Sequence, residues 1–177
     1  MAAEPEHDLP ARLSALDAAV TGDTEPPVKA SWEDGHVRWE LYRRAAEQPA
    51  AHALLLDAVR AETDGPLASA VVVLMLERVP VAEHGSWTAA LDPEVRDFAE
   101  RRSGELAVLD SLDRRAAGYD AAEVGSWSDW LQLRVAQSRA ESHRPALDLL
   151  AGHGRTKRIR RTATESLAEI GKAGPRA

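Results

Sequence analysis

The chain reads as an all-α fold, a right-handed α-solenoid of about four irregular helix pairs. Three observations predict it. The decapeptide Ala82–Leu91 (AEHGSWTAAL) returns 40 residues later as Ala122–Leu131 (AEVGSWSDWL), with six of ten positions identical and Ser128 in place of Thr88. A fixed period of about 40 residues marks a helical-repeat protein. Apolar residues recur at spacings of three and four along most of the chain, whereas the alternation of a half-buried strand is nearly absent. Proline, glycine and capping residues cut the sequence at intervals suited to short helices.

Leu9, Leu13, Leu16 and Val20 predict an amphipathic first helix, which Gly22–Pro27 (GDTEPP) ends because paired prolines cannot continue it. Ser31 is the expected N-cap of a second helix over about Glu33–Glu47, with Val37, Leu41 and Ala45 on one face. Pro49 opens a third helix bearing Leu54, Leu55, Ala58 and Val59. Asp64-Gly-Pro66 then starts a fourth, Leu67–Val79, apolar on nearly every side and so expected at the centre of the core. Its VVV run suggests a strand, but length, capping signal and helical neighbours favour a helix.

After Pro80 and the first Gly-Ser-Trp unit, Asp92-Pro93 opens a helix carrying Val95, Phe98, Ala99, Leu106, Leu109 and Leu112, with Gly104 a possible interruption. Gly118 and Tyr119 fall in a loop before the second unit. Two final helices follow, one from about Ser142 and one from the basic run at Arg155 to Gly171.

At 177 residues the chain suits one domain, 1–177, with residues 1–7 and 172–177 frayed. Hydrophobic residues at 44% and charged residues at 29% are ordinary for a soluble protein. Without cysteine there is no disulfide, thiolate metal site or cysteine nucleophile. The N-terminus, MAAEPEHDLP, has acids where a signal peptide has bases, and the uncharged stretch Gly65–Leu76 is shorter than the roughly 20 residues of a membrane span. A cytoplasmic protein with no membrane partner is expected. Residues 1–142 carry a net charge of −12 and residues 143–177 carry +5. The acidic part favours a basic partner.

A hydrophobic residue followed by arginine recurs at Val37-Arg38, Val95-Arg96 and Ile159-Arg160, with Leu41, Ala99 and Ala163 four residues after the first of each pair. This pattern resembles the HEAT family of two-helix repeats, whose second helix often opens with a turn residue and then Val-Arg before small apolar residues. Asp92–Ala99 (DPEVRDFA) and the pair Ala146–Leu150 with Ile159–Ile170 carry the resemblance, which spans residues 30 to 171. The Val-Arg positions lie 58 and 64 residues apart, so the repeats are irregular. The resemblance implies stacked helix pairs whose extended concave surface binds another macromolecule.

In the repeated Gly-Ser-Trp, glycine is expected to allow a tight turn, Ser86 and Ser126 to cap the next helix, and Asp129 to stand near a capping-box position. Trp87 and Trp127 then pack between layers, or else line one concave wall as paired platforms. Trp130, where the first copy has Ala90, is a gap-filler or a surface anchor, as are Trp32 and Trp39. The run Arg155-Thr-Lys157-Arg158-Ile-Arg160-Arg161, with His143, Arg144 and His153 close in sequence, forms the cationic patch. It is either a solvated helix face or a phosphate-binding one.

The six histidines, His7, His36, His52, His84, His143 and His153, show no zinc-ligand spacing, and no P-loop, nucleophile elbow or dinucleotide fingerprint is present. No cofactor, metal or catalytic residue is expected. The sequence therefore points to a non-enzymatic scaffold that binds a macromolecule, foremost a protein, as an interaction or toxin-neutralising module. Its candidate binding residues are Trp127, Asp129, Trp130, Arg155, Lys157, Arg158 and Arg161. Residues 155–161 make nucleic-acid binding the alternative. Small HEAT-like DNA glycosylases of the alkylation-repair type also combine a helical solenoid, aromatic walls, a basic face and a catalytic aspartate. The chain is short and acidic for that family, and no Trp is followed four residues later by Asp.

Overall fold

A computed structural model describes residues 8–22, 32–112 and 119–172, and among these every regular element is helical. Asp8 caps α1 (Leu9–Thr21) by accepting the amide of Ala11, and Gly22 closes it in the left-handed conformation, φ 72°, where glycine is unstrained. Asp34 caps α2 (Gly35–Ala46), with its carboxylate on the amide of His36. The 3-10 turn Pro49–Ala51 leads into α3 (His52–Ala61), and Asp64 caps α4 (Gly65–Leu76). Short α5 (His84–Thr88) precedes the 19-residue α6 (Pro93–Ser111). Then come α7 (Ala121–Ser126), α8 (Asp129–Ala136), α9 (Arg144–His153) and α10 (Lys157–Lys172).

These helices form two compact units, residues 1–104 and 105–177, and the division falls inside α6. In the first, α1 packs on α2 and α3, α2 on α4, and α4 on α5. Its core holds Leu13, Leu16, Leu41, Leu55, Val71 and Met75, all fully buried. Each such side chain contributes on the order of 1.5–3 kcal/mol. The VVV run in α4 is helical, with Val71 and Val72 buried. In the second unit α9 and α10, joined by three residues, pack on each other, and α8 lies against both. Trp127, Leu131, Val135, Leu147, Leu150, Ile159 and Ile170 form its core.

Several expectations need correction. Gly85 and Gly125 make no tight turn: each lies within a helix, α5 or α7. Ser126 caps nothing, since its hydroxyl bonds back to the Glu123 carbonyl at 2.7 Å. The cap of α8 is Ser128, which accepts the Leu131 amide at 3.2 Å and leaves Asp129 as the first helical residue. In the first copy the threonine at this position, Thr88, ends α5 instead, and the two decapeptides already differ at the tryptophan, helical as Trp87 and extended as Trp127. Gly104 does not interrupt α6, and Phe98 lies outside the core at 49% exposure. The second helix begins at Gly35 rather than near Glu33, and Ser31 lies outside the described residues, as do Pro26, Pro27 and Gly118. Lys172 still belongs to α10, and residues 1–7 and 173–177 lie outside the described residues.

The three hydrophobic-arginine pairs share one device. Arg38 donates to the carbonyls of Trp32 and Glu33, Arg96 to that of Leu91, and Arg160 to that of Gly154. Each guanidinium thus reaches back five or six residues and satisfies the turn before its own helix. The recurrent arginine follows from this need, because a turn leading into a helix leaves carbonyls without helical partners.

Candidate functional site

The second unit brings Trp127, Asp129 and Arg155 together. Trp127 is 6% exposed and packs edge-on against Tyr119, with ring centroids 5.2 Å apart. Arg155 donates to the Asp129 carboxylate at 3.0 Å and to the carbonyls of Gly125 and Trp127 at 3.1 and 2.8 Å. Its amide donates to the buried Gln132 Oε1 at 2.9 Å, and Gln132 Nε2 bonds the carbonyls of Val124 and Trp127. This cluster ties the turn between α7 and α8 to the turn between α9 and α10. Trp127 is core, as Trp87 is at 3% exposure, so neither is an exposed platform. Asp129 and Arg155 face solvent while engaged with each other.

The rest of the cationic run divides. Arg160 is taken up by the Gly154 carbonyl, and Arg161 pairs with Glu165 one helical turn on, at 3.5 Å. Lys157 and Arg158 are exposed and their side chains have no partner among the described residues. Arg144 pairs with Glu141 at 2.6 Å. Trp130 is half-buried and packs on the edge of the core, while Trp32 and Trp39 are half-buried in the first unit.

Sequence reasoning missed a densely bonded buried carboxylate, Glu62. Its side chain is fully buried and accepts four hydrogen bonds: Arg38 Nε at 2.8 Å, Arg38 Nη2 at 3.2 Å, the Tyr42 hydroxyl at 2.8 Å and the Asp64 amide at 3.0 Å. Burial, then the bond to Glu62 and the charge of that carboxylate, push the Tyr42 phenol above its ordinary range. Four donors fill the four lone-pair sites of a carboxylate, so Glu62 has no capacity left to take a substrate proton. The Val-Arg recurrence marks Arg38, but no spacing rule joins it to residue 62.

Two further side chains are set apart by their burial or exposure. His84 is buried, its Nδ1 lies 3.1 Å from the Ser103 hydroxyl, and its Nε2 has no partner among the described residues. The second copy has Val124 there, also buried. Phe98, the chain's single phenylalanine, lies exposed on α6 with the guanidiniums of Arg101 and Arg102 at 5.9 and 5.6 Å from its ring centre. Among the described residues no three His, Asp or Glu side chains are grouped to hold a metal ion, and no helix is long and apolar enough to cross a membrane. No protein-family model, curated protein or solved structure matches the chain.

Proposed function

We propose that the chain is a HEAT-like α-solenoid acting as a non-enzymatic scaffold that binds another protein. The observation that carries this reading is Phe98, an aromatic ring 49% exposed on α6 with the guanidiniums of Arg101 and Arg102 at 5.9 and 5.6 Å from its centre. Aromatic and arginine side chains dominate the energetics of protein interfaces. A large apolar ring left in water is a cost that partner burial removes. The buried charged groups lend support: Glu62 and Arg38 are saturated by the scaffold itself, which suits a structural role rather than a catalytic one.

The test is capture from host lysate with tagged protein, washed at low and then high salt. A stoichiometric protein that survives high salt and is lost with Phe98→Ala, while Tm is unchanged, is the expected result. Equal capture by wild type, Phe98→Ala and Trp130→Ala would overturn the reading.

Nucleic-acid binding is the second reading, favoured by Lys157 and Arg158, which face solvent at the start of α10. It is the weaker, because Arg155, Arg160 and Arg161 have intramolecular partners. Its glycosylase form has less support still, since Asp129 is ion-paired with Arg155 and Trp127 is interior.

A further inference from the structure

We propose that the first unit holds a pocket for one cationic group, an ammonium or guanidinium, presented by a lysine or arginine of the partner. The site is a cavity of about 310 Å3 between the C-terminal turn of α3 and the segment joining α5 to α6. The inference deepens the scaffold reading, and rests on it only for the source of the cation.

Four features bear on the occupant, three of them through charge. Its first wall is the end of α3, where among the described residues the Arg60 and Ala61 carbonyls accept no backbone hydrogen bond from beyond the helix. Such unsatisfied carbonyls carry the negative end of the helix dipole. Across from them the lining includes Asp92, exposed, its carboxylate without a partner among the described residues. Val95, half-buried, supplies apolar surface suited to an alkyl stem. Last, residues 1–104 hold 10 Lys and Arg against 19 Asp and Glu, a net charge of −9 that concentrates cations around this unit.

The other charged residues of the lining do not oppose this. Arg60 is paired with Asp57 at 2.9 Å, and Glu62 is saturated by Arg38, Tyr42 and the Asp64 amide. Ala90 lines the cavity at the decapeptide position that holds Trp130 in the second copy.

The test is an amide-resolved NMR titration of the full chain with Nα-acetyl-lysine methylamide, n-butylguanidinium, putrescine and, as the anionic control, butyrate. The expected result is saturable shifts confined to residues 59–68 and 90–95 with the cations and none with butyrate. Asp92→Asn should weaken the lysine derivative about tenfold, as for loss of a charged hydrogen bond. Ala90→Trp should abolish the shifts. Should that variant misfold, the exposed Asp92→Asn still decides.

Absence of localised shifts, equal shifts with butyrate, or undiminished binding to Asp92→Asn would each overturn the pocket. Putrescine binding tenfold tighter than the lysine derivative would support the pocket and overturn a protein side chain as its occupant. A chain that captures a protein in the lysate test yet shows no cavity shifts loses this inference alone.

Discussion

Glu62 shows how a buried charge is tolerated when every lone pair has a donor. Arg38→Ala should cost about 3–5 kcal/mol in denaturant unfolding, because it leaves that carboxylate buried with two fewer donors. Glu62→Gln should cost less, since the amide oxygen still accepts from Arg38. Tyr42 adds a pH signature. Its folded-state pKa lies above the unfolded value of about 10, so the folded chain keeps a proton that the unfolded chain releases. Its contribution is full below pH ~10 and declines as pH rises further. Thermal melts between about pH 9 and 11 should show this decline, and Tyr42→Phe should remove it. None of this was legible in the sequence beyond Arg38, because Glu62 is 24 residues away from it and the fold alone brings them together.

Glycine substitution separates position from packing at the scale of elements. Gly154 ends α9, and a Cβ there would stand 2.6 Å from the Leu150 carbonyl oxygen and 2.7 Å from Ile159 Cγ2. Gly154→Ala should therefore destabilise by about 1–3 kcal/mol, through the close packing of α9 on α10. Gly125 lies inside α7 with nothing within 4 Å of its would-be Cβ. Gly125→Ala should stabilise by about 0.5–1 kcal/mol, and destabilisation would restore the turn role first assigned to it. Paired chemical melts measure both. Helix existence was readable here because Gly22, Asp64 and Pro93 punctuate runs whose apolar residues recur three and four apart. The Gly-Ser-Trp units misled because glycine and serine mean turns only where the backbone requires them. Here Gly85 and Ser86 lie within α5, and Gly125 and Ser126 close α7.

On the scale of the whole molecule, charge distribution governs the choice of partner. At a net charge of −7, and with Arg155 tied to Asp129, the exposed cations left in the basic run are Lys157, Arg158 and Arg161, and binding to duplex DNA should be weak. Fluorescence anisotropy should show a log–log salt slope no steeper than about −3, as three phosphate contacts give. A slope near −6 or beyond would mean that other cations join them and would favour the nucleic-acid reading. The all-helical architecture was legible in the sequence. The division into residues 1–104 and 105–177 was not, because it falls inside the continuous helical pattern of α6.

The sequence by itself determined the all-helical class, the helix starts at Asp64 and Pro93, and the recurrence of an arginine after a hydrophobic residue. These depend on short-range rules, since period, capping and turn chemistry act over a few residues. Tertiary structure decided which charges are available. It closed Arg155 onto Asp129, buried Glu62 under Arg38 and Tyr42, and left Phe98 in solvent and Asp92 beside a cavity. The physical reason is that desolvation and pairing depend on neighbours brought from 20 to 30 residues away, which no local pattern encodes.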